Sequence, residues 1–326
     1  MLYWLDRRLD TSPTFYLLNN ALAAKSTLRD IWYGSTRTFA EPTVGNNLTY
    51  HHRLERFRRQ LEQLAGYCRD NGIASQWIVP ASAESVYEPD RSVVAEGTSA
   101  SEIERMHRRY DEARGLEQSK SWQQAIDIYR EELAKQPGFA ELHFRLAECL
   151  VELGQYDQAR KEFILARDTD GCPTRANGDY RRQIAEVAEE FQIPHFDAAD
   201  VLRPETPHGI IDRSMIHDNV HPTLLAFYLI AMHAADQIGH TTLAPRLGSP
   251  QNAAPVTLTD AVKSQDLVVN DLVHAYQYTA EDFRFFALLR FDDSRRKREA
   301  DEYEQRSKQL KSGEIKPGQN GTESFD

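Results

Sequence analysis

The sequence has few of the features that mark disulfide-bonded, membrane-spanning or nucleic-acid-binding proteins. Its 326 residues include only three cysteines, and acidic residues exceed basic ones by 50 to 39, so the net charge is −11. The three cysteines have neither disulfide nor metal-site spacing. The longest apolar run, residues 224–232, is too short to span a bilayer. We therefore expect no nucleic-acid partner, no membrane span, no metal and no other cofactor.

The first residues also lack the basic start and small-residue cleavage site of a signal peptide, and the compartment is therefore not indicated. No Gly-Asp-Ser or Gly-x-Ser turn precedes residue 49. That absence matters for the candidate site described below.

Residues 106–171 contain an internal repeat with a period of 34, which is the tetratricopeptide period. The repeat has two interpretations, a peptide-binding groove or a structural insert. Such repeats need about three units to be stable alone, and only two are present, so we favour an insert that leans on the rest of the chain. Five positions of the first unit, Ala113, Leu116, Trp122, Ala125 and Tyr129, recur as Ala147, Leu150, Tyr156, Ala159 and Phe163.

An αβ unit is predicted on each side of the repeat. Before it, an apolar stripe at helical spacing predicts a helix over 49–70, and residues 73–79 read as a strand ended by Pro80. After it, a helix over 174–191 leads to a strand over 193–197. This order predicts an α/β protein with a parallel sheet into which the repeat is inserted.

A stretch from residue 212 to 231 carries the candidate chemistry. It places Asp218 three residues before His221, so that the carboxylate can hold one imidazole nitrogen and leave the other free, as in a nucleophile–His–Asp relay. The spacing alone is common, and an Asp beside a structural His is the alternative. We expect Pro222 at the first position of a helix over 223–239 that is buried against the sheet.

Asp218-Asn-Val-His-Pro222 resembles the last conserved block of the SGNH (GDSL-type) serine hydrolases. The resemblance implies a partial flavodoxin-like parallel sheet, His221 as general base, Asp218 as its orienting carboxylate and an acyl ester as substrate. Together with the pattern and composition of the C-terminal residues, it predicts a division of the chain into the following parts. These are a first α/β part over 1–105, the repeat over 106–171, a last α/β part over 172–240, a helical extension over 241–304 and a disordered tail over 305–326.

The nucleophilic serine that such a hydrolase needs is not found. Gly45-Asn46-Asn47 is a weak substitute for the missing oxyanion residues, because no strand precedes it. We expect the serine to lie upstream or in another chain, or the chain to be a degenerate remnant that is inactive alone. The alternative is a repeat scaffold or protein-interaction module, whose partner binds the repeat or the C-terminal helices.

Residues 257–291 are predicted to be helical, with an aromatic cluster that belongs either to a core or to a packing surface. The cluster consists of Tyr276, Tyr278, Phe283, Phe285 and Phe286. The basic run over 295–298 is flanked by acidic residues, and we expect it to lie on a solvated helix face.

Overall fold

The computed structural model describes residues 48–172, 174–240, 256–263, 269–287 and 294–315, which are mostly helical. The expectations for residues 1–47, including Gly45-Asn46-Asn47, lie outside these residues. The elements in chain order are α1 (Leu48–Asp70), β1 (Trp77–Val79), α2 (Ala100–Gln118), α3 (Trp122–Leu133), α4 (Ala140–Glu152), α5 (Tyr156–Asp168), α6 (Gly178–Glu190), β2 (His195–Asp197), α7 (Ala198–Leu202), α8 (Leu224–Gly239), α9 (Leu258–Lys263), α10 (Val269–Ala287) and α11 (Ser294–Ser312).

The described residues contain one sheet, in which β1 and β2 run parallel, with Trp77 opposite His195 and Val79 opposite Asp197. Helices α2 to α6 all lie between these two strands in the chain. In the chain, the repeat therefore lies within the connection between these two parallel strands. A sheet of two strands does not support the flavodoxin-like fold, however, and what the structure supports is the helical repeat segment.

The repeat folds as two helical hairpins, α2–α3 and α4–α5. The four small residues that recur at the period of 34, Ala113, Ala125, Ala147 and Ala159, are all fully buried. The small methyl side chain at these points lets neighbouring helices approach closely. The large residues of the repeat, such as Tyr129 and Phe163, fill the spaces between them.

A second hydrophobic core lies beside the repeat core. It joins the loop after β1, helix α7, the segment 211–216 and the antiparallel pair α10–α11. Tyr276 and Phe283 of the predicted aromatic cluster are buried there, whereas Tyr278 is exposed. Nothing is described for the side chains of Phe285 and Phe286.

Helix α8 differs from its prediction in two ways. It begins at Leu224 with Thr223 as its N-cap, and Pro222 lies before the helix in an isolated antiparallel bridge with Ile216. Of its residues only Ala226 is fully buried, and Phe227 is 56% exposed. The expectation of a helix buried against a sheet is wrong, because the two described strands are too few to cover its apolar sides.

The C-terminal part also corrects two expectations. Residues 305–312 of the tail predicted over 305–326 are helical rather than disordered, since Leu310 is buried in the second core and the buried Ser307 donates to the carbonyl of Val273. Residues 316–326 lie outside the described residues. In the basic run, Arg296 is fully buried and is not on a solvated face. The finer domain boundaries stay a prediction.

Candidate functional site

Asp218 and His221 form a hydrogen-bonded pair. The Asp218 Oδ2 atom lies 2.7 Å from Nδ1 of His221. The Oδ1 atom accepts hydrogen bonds of 2.9 Å from the backbone N–H groups of Val220 and His221. Asp218 is 4% exposed, whereas the His221 side chain is 69% exposed. The carboxylate is thus fixed by three donors, while most of the imidazole remains accessible.

The loop that carries this pair is closed by its own backbone. Ile216 and Pro222 bridge its two sides, and the N–H group of Thr223 donates to the carbonyl of Met215 over 2.8 Å. The Thr223 side chain then accepts from the N–H of Ala226 over 3.2 Å and begins helix α8. The short spacing between Asp218 and His221 therefore reflects a tight loop joined rigidly to a helix.

The orientation of the His221 ring follows from this geometry. Nδ1 faces a carboxylate oxygen of Asp218, so Nε2 is the ring nitrogen directed away from that carboxylate. An imidazole oriented in this way can act as a general base towards a hydroxyl group or water. The structure thus brings together the two residues that the sequence singles out.

The pair borders a cleft of about 520 Å³ between its loop and helix α10. This volume is in the range of small-molecule sites. Leu272, Ala275, Thr279 and Asp282 line it from successive turns of α10, because residues three or four apart share one helix face. Among the described residues that line the cleft there is no serine or cysteine to act as the nucleophile of a triad.

Asp282 is a residue of this cleft that sequence reasoning misses. Burial raises the pKa of its carboxyl group, the nearby charge of Asp218 raises it further, and His221 acts in the opposite direction. The negative charge of the Asp282 carboxylate is therefore only partly offset by the groups around it. Its helical spacing from Leu272 and Ala275 assigns it to a face of α10, but nothing in the sequence shows that this face meets the loop of His221.

A second polar cluster lies between the repeat and the rest of the chain. Arg145 of α4 is almost fully buried, and it donates to Glu141 and Glu148 over 2.7 Å each. It also pairs with Glu88 of the loop after β1. Although burial disfavours its charged form, Glu141 and the neighbouring acids hold the pKa of Arg145 well above its ordinary value.

The same cluster reaches the C-terminal hairpin. Arg295 of α11 pairs with Glu148 of α4, and its guanidinium donates to the carbonyl of Ser85 over 3.1 Å. The N–H group of Glu141 donates to the Ser92 hydroxyl over 2.8 Å. Loop 81–94 and helix α11 therefore both contact the first helix of the second repeat unit.

Within the described residues, no group of three or more His, Cys, Asp or Glu side chains is arranged to hold a metal ion. In that same part of the chain, no helix combines the length and apolar character that crossing a membrane requires.

Residues 116–171 match the tetratricopeptide repeat family. Neither the curated proteins nor the solved structures include a match to this chain. The match confirms the repeat that its period of 34 predicts. Tetratricopeptide repeats suggest protein interaction, whereas nothing in these comparisons supports an SGNH hydrolase domain.

Proposed function

We propose that this chain is a tetratricopeptide-repeat scaffold whose repeat pair binds other segments of the same chain. In this proposal the repeat holds loop 81–94 and the α10–α11 hairpin in place around the Asp218–His221 cleft. The observation that carries it concerns α4, where every residue from Ala140 to Leu150 except Glu148 is buried. One side of this helix packs in the repeat core, and its polar side chains meet loop 81–94 and α11. In this proposal those segments of the same chain occupy the repeat.

Charge supports the same proposal. The side chain of Arg145 meets one carboxylate of the loop and two of its own helix, while Arg295 brings a cation from α11 to Glu148. Removing one partner of a buried ion pair leaves an uncompensated charge. In this proposal the ion pairs therefore favour one arrangement of loop 81–94 and α11 on the repeat.

Hydrogen–deuterium exchange tests the scaffold role directly. Arg145→Met should speed the exchange of α11 amides while leaving α1 unchanged, because α11 depends on the cluster and α1 packs elsewhere. Arg109→Met is the matched control, since Arg109 pairs with Glu112 and Glu131 on another face of the repeat. Unchanged exchange in α11 of a folded Arg145→Met protein would contradict the proposal.

A double-mutant cycle gives the strength of the contact. Glu148→Ala and Arg295→Ala should be coupled by about 0.5–3 kcal/mol in the free energy of unfolding, the range for residues in one ion-pair network. Additive effects of the two substitutions would show that the hairpin does not depend on the repeat.

A second candidate function is acyl-ester hydrolysis, which is favoured by the oriented His221 at the edge of the cleft. His221 would take the proton of an attacking hydroxyl group, and Asp218 would orient the ring and stabilise the imidazolium. The nucleophilic serine that the SGNH resemblance implies is not among the described residues lining this cleft.

Turnover of p-nitrophenyl acetate by the purified protein tests this second candidate. Activity that falls by orders of magnitude in both His221→Ala and Asp218→Asn would support it, since loss of either member disables such a relay. A cooperatively melting wild-type protein without turnover would contradict an active esterase and leave the scaffold proposal intact.

A further inference from the structure

Strand β1 has an open edge, formed by the main-chain groups of Gln76 and Ile78. Among the described residues β1 pairs with β2 alone, in a register that sets Ile78 opposite Phe196. The N–H group of Trp77 donates to the carbonyl of Pro194 over 2.9 Å. Because successive residues of a strand direct their main-chain groups to alternate sides, the N–H and C=O groups of Gln76 and Ile78 face away from β2. No backbone hydrogen bond within the described residues reaches these four groups.

The outer edge of β2 is protected, whereas the edge of β1 is not. β2 carries His195 and Asp197, and Asp197 is the N-cap of helix α7, which follows at once. Charged side chains keep a sheet edge from pairing with another chain. β1 has the sequence Trp-Ile-Val and contains no charged side chain. The edge of β1 is therefore the one that can accept a further strand.

The chain that leads into β1 exposes large apolar side chains. Ile78 is 40% exposed, and Leu64, Tyr67 and Ile73 are exposed as well. A cleft of about 410 Å³ lies beside Ile73 at the start of the strand. Its walls come from α1, from the segments that lead into the two strands and from the end of α8, and they are mainly apolar. Exposed apolar surface of this kind marks sites of protein interaction.

The sheet is covered by helices on both faces. The ring of Phe196 lies 4.6 Å from that of His233 of α8. The next residue, Asp197, directs its side chain to the opposite face and pairs with Arg181 of α6. Helix α1 packs against α6. The open edge thus belongs to a face of three layers, with α1 and α6 on one side of the sheet and α8 on the other.

A face of this size suits a dimer. A helix is about 10 Å across, so two helix layers with a sheet between them span at least about 20 Å. Helix α8 has 16 residues and is about 24 Å long. Pairing of two such faces would bury about 500 Å² on each copy, or about 1,000 Å² in total, which is the lower limit for a specific interface.

We propose that two copies of this chain pair through β1. The two strands run antiparallel, with Gln76 of each copy opposite Ile78 of the other and with the two Trp77 residues facing each other. All the open main-chain groups of both copies are then joined in four hydrogen bonds. Both edges present the same residues, so the pairing has the self-complementarity of a twofold interface. The facing indole rings form a cross-strand aromatic pair, which stabilises a sheet. This proposal rests on neither the scaffold role nor ester hydrolysis.

Sedimentation velocity tests the dimer. Since an interface of this small area gives a weak complex, the average mass of the wild type should rise from 37.4 kDa towards twice that value between about 1 and 200 µM protein. Ile78→Pro removes an N–H group that faces the open edge and leaves the N–H groups that pair with β2, so it should weaken dimerisation at least about tenfold. Ile78→Val keeps that N–H group and is the control.

Two results of this experiment would overturn the proposal. One is an Ile78→Pro protein that melts cooperatively and dimerises as well as Ile78→Val. The other is a wild type that is monomeric at every concentration. Slow amide exchange at Ile78 in that monomer would assign the edge to another segment of the same chain, and fast exchange would show an edge without any occupant.

Cysteine cross-linking tests the register without a proline. Directly opposed residues of a non-hydrogen-bonded antiparallel pair have Cα atoms about 4.5 Å apart, which is within the range of a disulfide. Trp77→Cys should therefore give a disulfide-linked dimer under mild oxidation, with the wild type and its three cysteines as the background. Ser75→Cys is the matched control, because it lies two residues from the centre of the pairing and its two copies would be too far apart. Equal yields from the two variants would overturn the proposed pairing.

Discussion

The guanidinium carbon of Arg296 lies 3.7 Å from the ring centroid of Tyr87. The same guanidinium donates to the Tyr87 hydroxyl over 3.0 Å and pairs with Asp90, and both charged side chains are fully buried. It also donates to the carbonyl of Glu88. Helix α11 is thus joined to loop 81–94 by one buried cation, which stacks on an aromatic ring and neutralises a buried acid.

Removal of this cation should be strongly destabilising. Arg296→Met leaves Asp90 buried without its partner, and breaking a buried pair in this way costs about 3–5 kcal/mol. Urea denaturation followed by circular dichroism measures the change in the free energy of unfolding. Arg298→Met, at an exposed position two residues away, should stay within about 0.5 kcal/mol of the wild type. Equal effects of the two substitutions would contradict the role given to Arg296.

The pH dependence of stability should report a second buried acid in this region. Asp170 accepts hydrogen bonds from the N–H groups of Asp90, Arg91 and Cys172. Burial, and then the charge of Asp90, raise the pKa of Asp170 to about 7. An unfolded Asp titrates near pH 4. Between these two pH values the folded protein binds more protons than the unfolded chain. The favourable contribution of Asp170 to the free energy of unfolding is therefore present at low pH and is lost as the pH rises to about 7.

The free energy of unfolding of the wild type should therefore contain a term that falls between pH 4 and pH 7, with a slope approaching about 1.4 kcal/mol per pH unit for one proton. Asp170→Asn should remove that term. Asp127→Asn, an exposed change on α3, should keep it. Urea titrations at pH 4.5, 5.5, 6.5 and 7.5 on the three proteins provide the measurement, and parallel profiles for wild type and Asp170→Asn would disprove the assignment.

Two glycine substitutions should have effects of opposite sign. A Cβ atom at Gly171 would lie 2.5 Å from a methyl group of Val93, so Gly171→Ala should destabilise the protein by about 1–3 kcal/mol through overpacking. A Cβ atom at Gly115, inside α2, meets nothing within 4 Å. Gly115→Ala should therefore stabilise by about 0.5–1 kcal/mol through helix propensity. Thermal denaturation of the two variants compares them, and equal shifts in Tm would contradict the packing at Gly171.

The repeat was predictable from sequence because its packing depends on residue size at a fixed period. Ala113 and Ala147 must be small where helices cross, and the requirement repeats in every unit. The buried face of α11 was not predicted, since residues 305–312 were expected to be disordered and residues 295–298 to be solvated. Ala300, Tyr303, Ser307 and Leu310 follow each other at spacings of three or four and are buried, and the stripe extends back to Arg296. The burial of Arg296 is not evident from the sequence, because an arginine within a basic run is expected to lie at the surface.

The site was predictable only where it is local. Asp218 and His221 meet because a tight loop joins them, and three residues of sequence are enough to suggest it. The wall opposite them comes from α10, and its position depends on how the hairpin packs against loop 81–94. Such long-range packing leaves no spacing signal near His221, so the place of Asp282 in the cleft could be found only in the structure.

Thr223 should link the stability of helix α8 to the candidate site. Its hydroxyl donates to the carbonyl of Ser214 over 3.0 Å and accepts from the N–H of Ala226, and the residue is buried. Thr223→Ala should lower the free energy of unfolding by about 1–2 kcal/mol, because it removes an N-cap. Thr223→Ser keeps the hydroxyl and should recover most of that loss. If alanine and serine variants melt at the same temperature in differential scanning calorimetry, the cap does not stabilise the loop that carries His221.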